Sequence, residues 1–346
     1  MRVRQSADHA NFLAWQQLIG FDRYEHVQLP QDRLGKHTRY IRMPSSFARF
    51  DEDAFISEVY TREVLEGDPM QLANRVILAP INSIVDRVNC RVTAMMPAEQ
   101  ATRIYLSVNT PDAYDVYDPT SAILATDNLQ SIETANIPVH ALKLRIGMPV
   151  MCMQNLDVTN GICNGTTMIV EHLGDNIVWC KVNTRFGLRS HPIAPTKFTY
   201  SSNGFKFTNT QLPLRVAFAV TINRAQGATY DYVAYHATYP IFAHGMLFVA
   251  LTRVTSPQGL TILCNPNLMV DASGGSADET GNTQRHATAR NVVHPRVSGR
   301  PEQVRTERSP QPTQQPTTVV EEEDPETSYG GPEFVFYDRG PARRQQ

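Results

Sequence analysis

Leu214-Arg-Val-Ala-Phe-Ala-Val220 runs directly into Thr221-Ile-Asn-Arg-Ala-Gln-Gly-Ala-Thr229, and this stretch decides the fold. The first seven residues carry one charge and read as a continuous buried strand, not as the in–out alternation of a half-exposed one. Ala225-Gln-Gly227 then reads as a tight turn. Glycine permits close backbone geometry, and the glutamine amide both donates and accepts hydrogen bonds. Downstream, Tyr232-Val-Ala-Tyr-His236 and Gly259-Leu-Thr-Ile-Leu-Cys264 predict two more buried strands. Met246, Leu247, Val249 and Ala250 predict a helix between them. Buried strands joined through helices build parallel sheets.

Upstream, Arg75-Val-Ile-Leu-Ala-Pro80 predicts another buried strand closed by proline. Ile84, Val85, Val88, Val92 and Met95 lie at helical spacing over Asn82–Met96, with Asn82 or Ser83 as the expected cap. Phe12, Leu13, Trp15, Leu18 and Ile19 predict a helix over Asp8–Gly20, with Asp8 capping its start and Gly20 marking its end. A further helix is expected near Asp51–Leu65, stopped by Pro69. Residues 102–135 are rich in Asp, Thr and Tyr and show no clear period. From Leu142 the character changes. Pro149–Met153, Thr166–Val170, Asn176–Val182 and Phe198–Tyr200 are short apolar runs, punctuated by Gly161, Gly165, Gly174, Gly187 and Gly204. That spacing predicts a small β-barrel or sandwich.

Beyond Asn267 the apolar periodicity ends. Ser309-Pro-Gln-Pro-Thr-Gln-Gln-Pro-Thr317 is of low complexity and Glu321-Glu-Glu-Asp324 is an acid run, so this tail is expected to be disordered. Phe334-Val-Phe-Tyr337 within it reads as a linear docking motif or as an inert patch. The net charge of −2 argues mildly against a nucleic-acid binder unless acids collect in the tail and bases line a groove. The five cysteines form no C-x-x-C pair, so neither a disulfide framework nor a zinc site is expected. No apolar run is long enough for a membrane helix, and no secretory leader is visible. A nuclear or cytoplasmic protein without a membrane partner is the expectation.

Three segments carry a family resemblance: Val216–Thr229, His244-Gly-Met-Leu-Phe-Val-Ala-Leu-Thr-Arg-Val-Thr-Ser256, and Gly147-Met-Pro-Val-Met through Asn155-Leu-Asp157 to Gly161-Ile-Cys-Asn-Gly-Thr166. In this order they resemble the petite-integration-frequency (Pif-type) DNA helicases, and most of all the branch in Helitron-like transposons. The resemblance implies an α/β fold: a second RecA-like helicase domain, interrupted by a small SH3-like β-barrel. Residues 1–146 and 213–267 would form the RecA-like domain, 147–212 the barrel, and 268–346 the disordered tail. The implied activity is 5′-to-3′ DNA unwinding driven by ATP and magnesium on single-stranded DNA.

The same resemblance implies roles. Arg253 matches the family arginine that meets the γ-phosphate, where a planar fork stabilises the charge that spreads as the bond breaks. Read by itself it is a surface arginine at a helix end. Gln226 and Gly227 match the turn that couples the nucleotide cleft to the DNA track, or form an ordinary strand-to-helix turn. Thr221, Asn223 and Arg224 would face phosphates of the strand. The family often has lysine at the place of Arg224 and glutamine at that of Ala228, and the second departure removes a polar contact. Arg2, ahead of Phe12-Leu-Ala-Trp15, would be a second phosphate sensor. Asn155 and Asn164 read as turn formers.

A P-loop needs G-x-x-x-x-G-K-[ST]. The one Gly-Lys pair, Gly35-Lys36, has Pro30 in place of the first glycine and His37 in place of the hydroxyl residue. Asp51-Glu-Asp53 follows Arg49-Phe50, which does not read as a β run. The first RecA-like domain is therefore expected to be absent from this chain and to be a required partner. The alternative is a non-hydrolysing single-stranded-DNA-binding or regulatory remnant.

Overall fold

A computed structural model describes residues 7–24, 26–27, 40–111, 137–184, 186–202, 205–271 and 285–293. Arg2, Gly35-Lys36 and Phe334–Tyr337 lie outside them.

With strands numbered in chain order, β3 (Ala48–Arg49), β4 (Arg75–Ala79), β15 (Ala219–Thr221), β16 (Tyr232–His236) and β17 (Leu260–Leu263) form one sheet. Its order is β15-β4-β16-β17-β3 and every pairing is parallel. The continuous apolar runs follow from burial on both faces. Ile77 and Ala79 of β4 join one core, while Val76 and Leu78 join the other. Helix α1 (Ala7–Gly20) and helix α6 (Met246–Leu251) pack on the second face. Helix α5 (Asn82–Met95) covers the first with Ile84, Val85, Val88 and Val92.

Several local expectations change. Helix α1 starts at Ala7, so Asp8 sits inside the first turn, where a carboxylate favours the helix dipole, and does not precede it. Gly20 is the last helical residue, and its lack of a side chain has a packing cause: a Cβ there would lie 2.7 Å from the Phe248 ring. The cap position of α5 is Ile81, without a side-chain bond, because Asn82 and Ser83 already lie in the helix. The single helix expected over Asp51–Leu65 is three pieces with its neighbour: α2 (Glu52–Val59), α3 (Arg62–Glu66) and α4 (Met70–Ala73). Asp51 caps α2 and Thr61 caps α3. Tyr60 between them is buried, with its hydroxyl donating to the Phe218 carbonyl at 2.5 Å. A two-residue strand, β3, does precede Asp51-Glu-Asp53. Those acids are committed to the cap, to Arg87 and His236, and to Arg91.

The opening run divides between two sheets. Strand β14 (Leu214–Val216) pairs antiparallel with β8 (Pro149–Cys152), whereas β15 pairs with β4. Apolar continuity reports burial, and burial does not change where the chain steps from one sheet into another. Beyond β8 lie β9 (Thr167–Leu173), β10 (Val178–Thr184) and β11 (Gly187–Ile193), giving the order β11-β10-β9-β8-β14. A second antiparallel sheet joins β12 (Thr196–Ser202), β13 (Phe205–Gln211) and β6 (Val108–Pro111). Strand β5 (Thr102–Leu106) pairs with β7 (Ala141–Arg145). Residues ahead of Gly147 thus contribute to the antiparallel region. The Tyr105 hydroxyl donates to the Gly174 carbonyl, and Gln211 Nε2 donates to the carbonyl of Tyr105. Strand β11 escapes pattern reading because most of its residues are exposed.

Part of the expected tail is built into the fold. Strand β20 (Thr288–Arg290) pairs with β2 (Tyr40–Arg42), which also pairs with β1 (His26–Val27). Strand β19 (Arg285–His286) pairs with β18 (Val270–Asp271). Ala287, Ala289 and Val292 are buried, and Asn291 Nδ2 donates to the Ile19 carbonyl at 3.1 Å. Few apolar residues suffice here because the backbone itself completes a sheet edge and bonds α1, a contribution that composition does not register. Residues 272–284 and 294–346 lie outside the described ones.

Candidate functional site

The chain leaves β15 in a compact turn. The Ile222 N–H donates to Ala79 O at 3.0 Å, and those of Arg224 and Ala225 donate to Thr221 O at 3.0 and 3.2 Å. Ile222 and Ala225 are buried and hold the turn, so Asn223, Gln226 and Gly227 stand outward. Gly227 has φ +82°, a left-handed geometry that glycine adopts freely, and open space surrounds it. Glycine is therefore needed for the backbone here and not for room.

Arg253 follows helix α6 and reaches this turn. Its Nη1 donates to the Ala228 carbonyl at 3.0 Å, its Nε to Val249 O at 3.0 Å and its Nη2 to Thr252 Oγ1 at 3.1 Å. The backbone returns the contact: the Tyr230 N–H donates to Arg253 O at 2.8 Å, beside a parallel bridge between Tyr230 and Val254. Burial lowers the pKa of the half-buried guanidinium and Tyr230 opposes the shift. The two motifs, 25 residues apart in sequence, are one bonded unit.

A cleft of about 700 Å³ opens on the turn. Arg224, Gln226 and Gly227 line one wall, and Asn164 to Thr167 line the other. Met70, Asn74 and, from the β10–β11 hairpin, Asn183 and Leu188 are also in the lining. The second wall is a built turn: Asn155 Oδ1 accepts from the Asn164 N–H at 2.9 Å, Thr166 Oγ1 donates to Gly161 O at 2.9 Å, and Gly165 has φ +92°. Asn155 thus acts as a turn former, as its residue type suggested.

Of the residues singled out in the sequence, the structure brings Arg224, Gln226, Gly227 and Asn164 to the cleft. Thr221 and Asn223 belong to the same turn without lining the cleft, and Arg253 touches its wall through Ala228 O. Arg224 is half-buried, and its pKa is lowered by burial and by Arg215, while Asp86 opposes this. Arg215 Nη2 donates to Asp86 at 2.7 Å, so this carboxylate is engaged by a neighbouring guanidinium. No carboxylate lines the cleft. Among the described residues no group of His, Cys, Asp and Glu is arranged to hold a metal ion. Sequence reading missed Tyr230, Asn74 and Asn183, which arrive from separate elements and belong to no motif. The unused hydrogen-bonding capacity of Tyr230 appears only in three dimensions.

The model for the 2B domain of the DNA helicase Pif1 matches residues 127–173. The human ATP-dependent DNA helicase PIF1 is 31% identical over 160 residues, covering 43% of this chain and 24% of that protein. Its mouse counterpart is 33% identical over 147 residues, covering 41% of this chain and 22% of that protein. The chain spans about a quarter of the length of these curated relatives. A crystal structure of Pif1 helicase from Bacteroides in complex with ADP-AlF3 and ssDNA aligns with a TM-score of 0.45 and 21% identity, over 78% of this chain and 52% of that one.

Proposed function

We propose, for a chain that belongs to the Pif1-type DNA helicases, that it supplies the arginine-bearing half of an ATP-driven DNA-unwinding motor. The observation that carries this reading is the bond from Arg253 to the Gln226-Gly227 turn through Ala228 O. A guanidinium tied to the turn that precedes the cleft shifts that turn when it moves toward a phosphate. Three of its donors are engaged within the protein, which leaves the rest of the fork for a γ-phosphate. ATP supplies the phosphoryl bond whose cleavage drives the motor.

In this reading the parallel sheet is a second RecA-like domain, and the antiparallel strands between Gly147 and Leu212 form an SH3-like barrel inserted in it. The reading is supported by the chain order, which leaves the parallel sheet after β4 and rejoins it at β15. Thr221, Asn223 and Arg224 meet the phosphates of single-stranded DNA, a task to which hydroxyl, amide and guanidinium groups are suited. Gln226 and Gly227 couple the strand to the nucleotide. Arg2 is a further phosphate contact that the described residues do not include. Without a cleft carboxylate, magnesium does not fit the residues seen here. In this reading it belongs with a P-loop, and no G-x-x-x-x-G-K-[ST] occurs in this sequence. Unwinding from 5′ to 3′ is part of the same proposal.

The missing G-x-x-x-x-G-K-[ST] favours a second reading, a single-strand-binding or regulatory protein that does not hydrolyse ATP. One experiment addresses both. The chain is mixed with a P-loop-bearing Pif1-type domain, and DNA-stimulated ATP turnover is measured with wild type and Arg253→Ala. Turnover that appears on mixing and vanishes in the variant supports the motor half. Strand binding without turnover in any mixture supports the second reading, and absence of strand binding rejects both.

A further inference from the structure

The step from β14 to β15 is gripped by helix α5. Asn89, 6% exposed, donates from Nδ2 to Val216 O at 3.2 Å and to Ala219 O at 3.0 Å. Its Oδ1 accepts from the Ala219 N–H at 2.8 Å. One turn earlier on the same helix face, Asp86 accepts from Arg215 Nη2 at 2.7 Å. Arg215 and Val216 before the step, and Ala219 after it, are therefore tied to a single helix.

Strand β15 is an edge of the parallel sheet. Its inward side bonds β4: the Ile77 N–H donates to Phe218 O at 2.9 Å and the Ile222 N–H to Ala79 O at 3.0 Å. Backbone groups alternate in direction along a strand, so the N–H and C=O of Ala219 point away from β4. Buried backbone groups need partners, and here no strand supplies them. The Asn89 amide carries a donor and an acceptor side by side and takes the place of that strand. An apolar side chain of similar size would fill the space and leave both groups unpaired.

The two walls of the cleft hang on either side of this step. The turn from Thr221 to Gly227 continues from β15. The opposite wall is bonded to β8: the Gly165 N–H donates to Cys152 O at 2.8 Å, and the Cys152 N–H to Thr166 O at 2.9 Å. Cys152 in turn pairs with Leu214 of β14. The walls come into contact at Gly165, where a Cβ would lie 3.8 Å from the Arg224 carbonyl oxygen. A change in the angle of the step moves one wall against the other.

We infer that Asn89 is a positioning residue: with Asp86 it splints the β14–β15 step and so sets the spacing of the cleft for a single strand. The inference rests on the single-strand reading of Thr221, Asn223 and Arg224. It adds a residue that itself touches neither strand nor nucleotide.

The test uses the full chain, Asn89→Ala and Asp86→Ala. Hydrogen exchange is followed by mass spectrometry without ligand, well below the unfolding midpoint. Turns exchange by local opening, whereas the slowest amides of core strands require global opening. Asn89→Ala is expected to speed exchange in the turns at 163–167 and 221–228 about tenfold, the value of one or two hydrogen bonds. Asp86→Ala, at a half-exposed carboxylate, should speed them by less, and it carries the test if Asn89→Ala does not fold. Faster exchange confined to β4, β16 and β17 marks an ordinary stabilising residue and overturns the inference. Titration with labelled oligo-dT is the second measurement, because a loss of stability alone leaves the affinity of folded molecules unchanged. Asn89→Ala should weaken binding about tenfold. Its slope of affinity against salt should stay as in wild type, since no phosphate contact is removed. Wild-type affinity in a variant whose turns exchange faster also overturns the inference. Wild type that binds no strand rejects the single-strand reading, and the exchange pattern alone then decides the splint.

Discussion

Arg253 Nη1 donates to the carbonyl of Ala228 at 3.0 Å, so the arginine after helix α6 and the turn after β15 are held as one piece. Neither motif explains the other in sequence. In space the guanidinium is a bracket between helix α6 and the turn, and the proposed motor would also set it against a phosphate.

Arg253→Ala removes three hydrogen bonds and leaves the carbonyls of Ala228 and Val249 without this donor. A destabilisation of about 1–3 kcal/mol is expected, read as a lower midpoint in thermal or urea unfolding. In a mixture that turns over ATP, the same variant should lower the rate by about a thousandfold, as for other arginines that act on the γ-phosphate. Arg253→Lys keeps the charge but not the fork, and is expected to rescue little of that rate.

The chain purified alone is expected to show no ATP turnover above background, with or without single-stranded DNA, because nothing in its sequence supplies the P-loop backbone and lysine. Turnover that is abolished by Arg253→Ala in the isolated chain would refute this expectation.

Binding of single-stranded DNA is expected to weaken as salt rises, through counterion release. Arg224→Ala should weaken all sequences alike and reduce the slope of log affinity against log salt by about one. An unchanged slope would remove Arg224 from the phosphate contacts.

His236 ends β16 with no exposed side chain, its Nε2 3.2 Å from Glu52 Oε1 and its Nδ1 3.1 Å from Thr238 Oγ1. Phe55 packs edge-on to the ring, and Arg87 lies beyond Glu52. Burial lowers the His236 pKa from 6.5, with Glu52 opposing. A lowered folded pKa means that the unfolded chain takes up the proton first. Stability is therefore full above the unfolded value and declines as pH falls from there toward the folded value. Unfolding midpoints should drop as pH falls below the ordinary histidine value of 6.5, and the drop should shrink in His236→Asn.

Gly259 precedes β17 with Asp231 O and Val254 Cγ2 against the position of a Cβ. The first of these is backbone and cannot rotate away. Gly259→Ala is expected to destabilise by about 3 kcal/mol or more. Gly20→Ala should be milder, since its obstacle is the Phe248 ring and alanine regains about 1 kcal/mol of helix propensity. Phe248→Leu combined with Gly20→Ala should recover most of that loss in a thermal melt.

The sequence by itself determined the buried strands β4, β16 and β17, the helices α1, α5 and α6, and the likeness to the Pif1-type DNA helicases. These are local: apolar runs and helical spacing record which faces are covered, and motif residues record a turn and an arginine. It also carried the turn-forming role of Asn155. Only the tertiary structure decided that Leu214–Val220 divides between two sheets, since both halves are equally buried. Strands β11 and β20 likewise waited on partners, because exposed or alanine-rich segments are held by backbone bonds that leave no apolar signature. The cleft belongs to the same class. Tyr230, Asn74, Asn164 and Asn183 come from separate elements, and an unpartnered buried hydroxyl is a statement about what surrounds an atom, which no spacing along a chain can encode.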